Sequence, residues 1–336
     1  MSVKTDSTNN PKVKYLQLVN HIQGLIENDD LHIGDRIPSL NQLQNECSMS
    51  KETVLKGINY LVEKGIIEAV YRKGYYVKKK DLQHSYRILL LLDKMNIMRE
   101  QIYQSILTDI REVADIDVFF HHHNNKVFSN IILENLNNYT HFIVVTFLKE
   151  DPSSVLNQIP AHKRIIIDYN QENLEGNYSV IYQDFEYDIY NSFVKLQDKI
   201  EKYERLVLIA HREAIHAEQV IRGFVKYCNE HSITYVIQSE VVESEFKKHT
   251  GYITFSRYDT DDVALIKLTK KNGYILGKDI GLLSYNDTAV KEILEGGISV
   301  ISTDFEQMGK SVTEVILTKK VMQKRNKTQV IIRNSF

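Results

Sequence analysis

Several residue types that mark membrane, secreted or metal-binding proteins are scarce in this sequence. It contains 2 cysteines, Cys47 and Cys228, whose separation fits no common metal-ligand motif. No apolar run approaches the roughly 18 residues that a membrane span needs, and the polar first residues lack the apolar core of a signal peptide. We therefore expect a cytoplasmic chain with two buried thiols.

Glycine is also scarce, with 14 residues in 336. The P-loop, G-x-G-x-x-G, G-x-S-x-G and H-E-x-x-H motifs are all missing, which argues against the enzyme classes that depend on them. The composition, 43% hydrophobic and 26% charged, is that of a globular protein, and the length indicates two or three domains. We expect no catalytic activity and no cofactor.

The net charge is only −2, but it is distributed unevenly. Residues 45–80 contain eight Lys and Arg against four Glu, so this segment is positive and the remainder of the chain is negative. A local positive charge is expected where a protein contacts phosphate groups. An ordinary solvated surface has the same charge pattern, so charge alone leaves both interpretations open.

The same segment carries the pattern of two helices joined by a tight turn. Apolar residues at helical spacing predict an amphipathic helix over 12–28. Ser39 followed by Gln42 is a capping-box pattern that starts a second helix, and Ser50 can cap a third helix over 51–64. The third helix is polar on its outer face, as in a helix-turn-helix whose second helix enters the major groove.

A strand-turn-strand pattern, "IIEAVYRKGYYVKK", follows the third helix. Gly65 can end that helix in the left-handed conformation, and Gly74 can adopt the turn conformation that other residues resist. Arg72 and Lys73 stand at the tip of the hairpin. The sequence therefore predicts a basic wing that reaches phosphates or the minor groove.

Residues 11–77 resemble the winged helix-turn-helix of GntR-type bacterial transcription regulators. The resemblance is carried by "GDRIPS", "MSKETVLKGINYLVEKGII" and "RKGYYV", which occur in the family order. It implies binding to double-stranded DNA, although a winged helix can also serve protein contacts. Where the family usually has Arg, this sequence has Asn41 and Lys51, and Lys suits a phosphate better than bidentate base recognition. The DNA-binding residues that the resemblance implies are Arg36, Ser39, Asn41, Ser50, Lys51, Thr53, Lys56, Arg72, Lys73 and Gly74.

From residue 87 onward, apolar strands alternate with helical segments. The strands are continuous apolar runs such as "RIIIDY" and "RLVLIA", which indicate parallel sheets covered by helices on both faces. We predict an α/β protein with a two-lobed, doubly wound parallel-sheet domain behind the winged helix-turn-helix. The predicted boundaries are a flexible tail at 1–10, the DNA-binding domain at 11–80, a linker at 81–86 and the two-lobed domain at 87–336.

Ligands of such sheets bind beyond the carboxyl ends of the strands. The residues there are rich in Asp, Asn, Arg and His, whose side chains suit the vicinal hydroxyls of a sugar, while Tyr and Phe can stack on its C–H faces. The candidate effector-binding residues are Asp93, Tyr103, Phe147, Asp168, Asp184, His211, Arg257, Asp259, Asn286, Asp287 and Asp304. Asp184 and Asp304 precede helices and can equally be helix caps.

Three consecutive histidines at 121–123 suggest zinc ligands. We predict a strand over 115–124, however, and successive side chains of a strand point to opposite faces. Three neighbouring histidines would then be unable to bind one ion, so we expect no metal site.

Residues 87–336 resemble the effector domain of LacI-type repressors and periplasmic sugar-binding proteins. The resemblance is carried by "VIYQDFEYDIYNSF", "QVIRGFVKYC", "LGKDIGLLSYNDT" and "VISTDFEQMGKSV". In that family a "GFDD"-like turn contacts the ligand; here "SYND" places Asn286 at the usual Asp position. The family Arg before "RGF" is replaced by Val220, which makes the neighbouring Arg222 a weak ligand candidate.

A GntR-type DNA-binding module joined to a LacI-type sensor resembles the arabinose and fucose operon regulators of Bacteroidetes. The resemblance implies a homodimeric, sugar-responsive regulator, more often a repressor than an activator, of a carbohydrate-utilisation operon. A sugar-binding receptor or an enzyme without a DNA-directed role is the alternative.

Overall fold

The structure is a computed structural model, and the residues it describes are 11–79, 86–111, 113–211, 216–255 and 260–336. The predicted tail and nearly all of the predicted linker lie outside these residues. The chain divides into two compact units: 1–90 with 110–119 and 130–142, and 91–109 with 120–129 and 143–336. This division does not test the predicted domain boundaries, which stay a prediction.

The first unit includes three helices and a hairpin that match the winged helix-turn-helix pattern. They are α1 (Pro11–Glu27), α2 (Leu40–Glu46), α3 (Lys51–Glu63), β1 (Ile67–Val70) and β2 (Gly74–Val77). Leu18, Ile22 and Ile58 are fully buried in the core between the helices. β1 pairs with β2 in antiparallel register, and Gly65 has the predicted left-handed conformation at the end of α3, with φ +67°.

Alternating strands and helices make up the rest of the chain. The elements up to the first crossing between sheets are β3 (Tyr86–Leu92), α4 (Ile97–Ile110), β4 (Ala114–Phe120), α5 (Asn125–Asn135), β5 (His141–Val145), α6 (Ser153–Leu156), β6 (Arg164–Tyr169) and β7 (Ser179–Gln183). Those that follow are α7 (Phe185–Lys195), α8 (Gln197–Ile200), β8 (Arg205–Ala210), α9 (Ala217–Glu230), β9 (Tyr235–Gln238), β10 (Thr250–Phe255), α10 (Thr260–Lys271), β11 (Ile280–Tyr285), α11 (Ala289–Ile293), β12 (Ser299–Thr303), α12 (Phe305–Thr318), β13 (Gln323–Arg325) and β14 (Thr328–Ile331).

These strands form two six-stranded sheets. The first sheet has the order β13-β7-β6-β5-β3-β4, and the second has the order β14-β12-β11-β10-β8-β9. In the second sheet β9, β8, β10, β11 and β12 are parallel, and β14 is antiparallel at the edge. The prediction of a doubly wound α/β fold with two sheets is confirmed.

The chain crosses between the two sheets three times, after β7, after β12 and between β13 and β14. The crossings lie side by side. The Asn326 N–H donates to the Tyr182 carbonyl at 2.7 Å, and the Asn326 side chain donates to the Asp304 carbonyl at 2.8 Å. The ends of β7 and β12 therefore meet at one place, beside the segment that joins β13 to β14.

Two local features differ from the sequence analysis. The strand predicted over 115–124 ends at Phe120. β13 and β14 were missed because they are three and four residues long and are partly polar. None of the described helices is both long and apolar enough to cross a bilayer.

Candidate functional site

The start of α3 is built by two of the candidate DNA-binding residues. The Ser50 Oγ accepts a hydrogen bond from the Thr53 N–H at 3.3 Å and lies 2.9 Å from the Thr53 Oγ1. Lys51, between them, is exposed. Ser50 and Thr53 therefore fix the first turn of the helix, and Lys51 presents its charge to solvent from that turn.

α3 packs very closely on α1. A Cβ atom at Gly57 would lie 2.8 Å from the Leu18 Cδ2 and 3.1 Å from the Tyr15 carbonyl oxygen, so a larger residue would push the helices apart. On the exposed side of α3, the Lys56 Nζ lies 4.9 Å from the centre of the Tyr15 ring, a cation–π contact. The ammonium group of Lys56 is thereby held near the surface of α1.

The wing is tied to the segment before α2. Arg36 forms a backbone bridge with Tyr76 of β2, and its guanidinium packs against Gly74. A Cβ at Gly74 would be 3.0 Å from the Arg36 Nε, and Gly74 has φ +111°, so glycine is needed there for both space and conformation. The Arg72 guanidinium lies 5.1 Å from the ring centre of Tyr71, which is 82% exposed.

The predicted capping box of α2 is present. The Ser39 N–H donates to the Gln42 Oε1 at 2.9 Å, and the Gln42 N–H donates to the Ser39 Oγ at 3.4 Å. Of the ten candidate DNA-binding residues, Thr53 and Gly74 are half-buried and the other eight, including every cation, are exposed. The segment thus keeps Arg36, Lys51, Arg72 and Lys73 at the surface.

In the second unit, three charged side chains form a buried cluster, here called the carboxylate cluster: Asp93, Arg99 and Asp168. The Arg99 Nε donates to the Asp93 Oδ1 at 2.7 Å, and its Nη1 donates to the Asp168 Oδ2 at 2.6 Å. Each residue is 3% exposed or less. Burial would raise the pKa of Asp93, but the charge and hydrogen bond of Arg99 hold that pKa below its usual value.

Gln183 extends this cluster toward the second sheet. Its Nε2 donates to the Asp168 Oδ1, while its Oε1 accepts from the Tyr285 hydroxyl at 3.1 Å and from the Thr303 hydroxyl. Asp168, at the end of β6, has φ +73°, a conformation that a non-glycine residue adopts rarely. The carboxyl ends of β3, β6, β7, β11 and β12 therefore contribute to one connected network.

Five rings lie next to the network, here called the aromatic cluster: Phe147, Phe185, His216, Phe255 and Tyr285. His216 stacks on Phe185 with ring centres 4.6 Å apart, and Phe255 lies 4.2 Å from Tyr285. The Phe147 ring is 5.5 Å from the Arg99 guanidinium. Burial lowers the pKa of His216 to about 4, so its imidazole is neutral at pH 7. Within the described part of the chain, its Nδ1 has no hydrogen-bond partner.

The three consecutive histidines do not lie in one strand, contrary to the prediction from the sequence. Because β4 ends at Phe120, His122 and His123 lie in a turn, with φ +50° and +58°, so strand alternation does not separate them. The His121 Nε2 is 3.1 Å from the Val145 carbonyl oxygen, and the His123 Nδ1 is 2.9 Å from that of Phe147. The described residues contain no group of three side chains placed to hold a metal ion.

The remaining effector candidates are distributed among other contacts. Asp184 and Asp304 cap α7 and α12, by accepting the N–H groups of residues 187 and 307 at 3.1 and 2.9 Å. Asp287 pairs with Arg333 through both of its oxygens, at 2.8 and 2.7 Å. His211 lies 3.1 Å from Asp261.

The last four effector candidates predicted from the sequence are Tyr103, Arg257, Asp259 and Asn286. The Thr303 N–H is 3.5 Å from the Asn286 Oδ1, which links Asn286 to the end of β12. Tyr103 is half-buried on α4, and Arg257 and Asp259 lie outside the described residues. The structure therefore brings together Asp93, Phe147 and Asp168 of the predicted set. Arg222, a weak candidate, pairs at 2.7 Å with Glu186 at the surface.

Sequence reasoning missed Arg99, Gln183, His216, Phe185 and Phe255. Gln183 could have been found, because it is the last residue of β7 and stands directly before Asp184. Arg99 lies inside α4 and not at a strand end, so the rule that selects strand ends passes over it.

Comparison with known families agrees with the N-terminal geometry. Residues 14–77 match the model described as bacterial regulatory proteins, gntR family. This segment is a GntR-type helix-turn-helix domain. The uncharacterized HTH-type transcriptional regulator YcxD of Bacillus subtilis (strain 168) is 34% identical over 67 residues, which are 20% of this chain and 15% of YcxD.

A second relative matches over a longer stretch of the chain. The mannosyl-D-glycerate transport/metabolism system repressor MngR of Escherichia coli (strain K12) is 28% identical over 109 residues, which are 32% of this chain and 45% of MngR. The chain thus covers less than half the length of either relative.

Solved structures match the two-sheet part. The Escherichia coli transcriptional repressor ascG superposes with a TM-score of 0.62 at 12% identity, covering 75% of this chain and 99% of ascG. A periplasmic binding protein/LacI transcriptional regulator from Alkaliphilus metalliredigens QYMF, complexed with D-xylulofuranose, gives 0.58 at 14% identity and covers 75% and 99%. A LacI family regulator from Enterococcus faecium with bound ribose gives 0.58 at 14% and covers 74% and 98%. These likenesses show that the larger part has the LacI-type periplasmic-binding-protein fold.

Proposed function

We propose that the protein is a transcription regulator that represses a carbohydrate-utilisation operon and is controlled by a sugar bound beside the carboxylate cluster. The observation that carries this proposal is the union, in one chain, of a GntR-type domain and a LacI-type fold. We propose the boundaries 1–10, 11–80, 81–86 and 87–336 for the tail, the DNA-binding domain, the linker and the sensor.

The DNA-binding role is assigned to the cations of the GntR-type domain. Lys51 and Lys56 on α3 would meet the major groove, with Ser50 and Thr53 fixing the first turn of that helix. Arg72 and Lys73 on the wing would contact phosphates or the minor groove, and Arg36 would hold the wing at its base. Ser39, Asn41 and Gly74 complete the proposed surface. A homodimer would read a palindromic operator.

The sensing role is assigned to the carboxylate and aromatic clusters. Asp93 and Asp168 offer carboxylate oxygens that accept hydrogen bonds from hydroxyls, and Phe147 offers an apolar ring face nearby. Two structural neighbours carry bound sugars, D-xylulofuranose and ribose, which supports a sugar as the ligand here. We extend the proposal to Tyr103, Asp184, His211, Arg257, Asp259, Asn286, Asp287 and Asp304 as further residues around the ligand.

A thermal-shift screen of the full chain tests the sensing role. The panel contains D-ribose, D-xylulose, D-glucose, L-arabinose, L-fucose and their phosphates. We expect one of them to raise the Tm, since a ligand at 100 times its Kd stabilises a protein by about 2.7 kcal/mol. The shift should disappear in Asp168→Asn and persist in Asp151→Asn, whose exposed carboxylate also accepts a hydrogen bond from a glutamine.

DNA release completes the test. Fluorescence anisotropy with the duplex upstream of the gene should show binding that weakens as salt increases and is reversed by the stabilising sugar. A sugar that strengthened DNA binding would contradict repression, and a sugar recovered in altered form would indicate an enzyme. If no compound of the panel changed the Tm, a sugar from this panel would be excluded as the effector.

A further inference from the structure

Gln183 occupies the junction between the carboxylate cluster and the crossings. It is the last residue of β7 and is 5% exposed. Its three hydrogen-bond partners are Asp168 of the first sheet and two residues of the second sheet, Tyr285 at the end of β11 and Thr303 at the end of β12. One buried amide thus connects a candidate ligand contact to the first and second crossings.

The chemistry of the partners fixes the orientation of this amide. An ionised carboxylate only accepts hydrogen bonds, so the Nε2 of Gln183 must face Asp168. The Oε1 must then face Tyr285 and Thr303, whose hydroxyls both donate to it. A flipped amide would place oxygen against the carboxylate and nitrogen against the hydroxyls, and Asp168 would no longer receive that donor.

Asp168 is held from two sides. Arg99 donates to its Oδ2 and Gln183 donates to its Oδ1, so both oxygens have fixed donors. A sugar hydroxyl that binds Asp168 shares or displaces one of these donors. Displacing the Gln183 amide would change what its Oε1 offers to Thr303, and hence the contact between the ends of β7 and β12.

We propose that Gln183 is the positioning residue that couples the Asp168 carboxylate to the crossings between the two sheets. The inference rests on the proposed function, in which Asp168 contacts the sugar. Because coupling is reciprocal, a ligand that alters the Gln183 contact changes the preferred arrangement of the crossings, and that arrangement changes the affinity for the ligand.

Gln183→Glu tests the contact between residue 183 and Asp168 without any ligand. The new carboxylate would lie against Asp168, with Arg99 and Asp93 behind it, Tyr285 on its other side and Asp188 of α7 beyond. Burial and the neighbouring negative charges raise the pKa of the introduced carboxyl above its value in the unfolded chain. Stability from the protonated form is present at low pH and is lost as pH rises through the raised pKa.

We therefore expect the Tm of Gln183→Glu to fall relative to the parent protein between pH 5 and pH 8. Gln171→Glu is the matched control, because the Gln171 amide donates at 2.9 Å to Asp151, an exposed carboxylate that water screens. Parallel Tm profiles for Gln183→Glu and the parent protein would overturn the inference.

The affinity for sugar distinguishes positioning from a purely structural role. Calorimetric titrations use D-ribose, D-glucose and L-arabinose at pH 5 and pH 8. At pH 5 the protonated carboxyl introduced by Gln183→Glu can donate to Asp168 as the amide does. The ratio of the variant's affinity to that of the parent protein should therefore be near one. At pH 8 it should fall by about tenfold or more, the effect of an unmade hydrogen bond to a buried charge. A ratio that does not depend on pH would refute the positioning role.

Failure of the proposed function would be distinct from failure of this inference. If the parent protein bound none of the three sugars, the sensing role for these sugars would fail. The ligand-free Tm profiles would still show whether residue 183 contacts the buried Asp168 carboxylate, on which the coupling depends.

Discussion

The GntR-type domain and the carboxylate cluster use cations in opposite ways. Lys51, Arg72 and Lys73 are exposed, whereas Arg99 is almost completely buried between two carboxylates. An exposed cation keeps its hydration and attracts negative charges over a distance that decreases as the salt concentration rises. A buried cation has lost its hydration, and only its paired carboxylates offset that cost. The carboxylates, also buried, need the cation for the same reason. The contrast separates an exposed basic surface, which we propose binds DNA, from a buried ion network of fixed geometry.

Replacing the buried cation should have the largest effect on stability. Arg99→Met leaves Asp93 and Asp168 buried without their counter-charge, which typically costs about 3–5 kcal/mol. The pKa of Asp93, now held low by Arg99, should rise, so the destabilisation should be greater at pH 8 than at pH 5. Urea unfolding of the variant at both pH values measures this change.

Arg222→Met is the matched control for that experiment. Arg222 pairs with Glu186 at a comparable distance of 2.7 Å, but both side chains are largely exposed. We expect a change of about 1 kcal/mol or less, as for other surface ion pairs. Equal destabilisation of the two variants would remove the distinction between buried and exposed cations.

The buried imidazoles should produce a smaller effect that depends on pH. Burial lowers the pKa of both His121 and His216 to about 4, whereas the unfolded chain protonates near 6.5. Stability should therefore decrease as pH falls from about 6.5 toward 4, since the unfolded state binds protons that the folded state refuses. His216→Phe keeps the ring stack on Phe185 and should flatten the Tm profile in this range.

His162→Gln, at an exposed position, should leave that profile unchanged. If His216→Phe followed the parent profile as well, burial of His216 would not contribute to acid sensitivity. Thermal unfolding at half-unit steps of pH provides the comparison.

The exposed cations should have the smallest effect on stability and a clear effect on DNA. Lys51→Ala should change the free energy of unfolding by no more than about 0.5 kcal/mol. It should weaken duplex binding and lower the slope of log affinity against log salt by about 0.9 if Lys51 neutralises one phosphate. Lys126→Ala on α5, also exposed, is the control that should leave the slope unchanged. An unaltered slope for Lys51→Ala would exclude a phosphate contact.

Contacts between residues close together in the sequence could be predicted, whereas contacts between distant residues could not. The capping box of Ser39 and Gln42 acts over three positions, so its pattern is readable in the sequence. Arg99 and Asp168 are 69 positions apart, and Gln183 and Thr303 are 120 apart. Neither helical or strand periodicity nor a capping pattern predicts such pairs, because their residues are distant in the sequence and meet only in the folded chain.

The same reasoning explains which of the ligand candidates lie together in the structure. The rule that strand ends carry the ligand contacts selected Asp93 and Asp168 as neighbours of one cluster, but it gave no way to tell them from the helix caps Asp184 and Asp304. The histidine turn was misjudged because the apolar run of β4 leads directly into His121, with no glycine or proline to mark the end of the strand.

The three adjacent crossings have a mechanical consequence. Two sheets joined by three neighbouring crossings can change the angle between them by bending at the crossings. Sliding or twisting of one sheet against the other would strain all three crossings. The hydrogen bonds of Asn326 to Tyr182 and Asp304 hold the three crossings together, so we expect the two sheets to move chiefly by bending at this place.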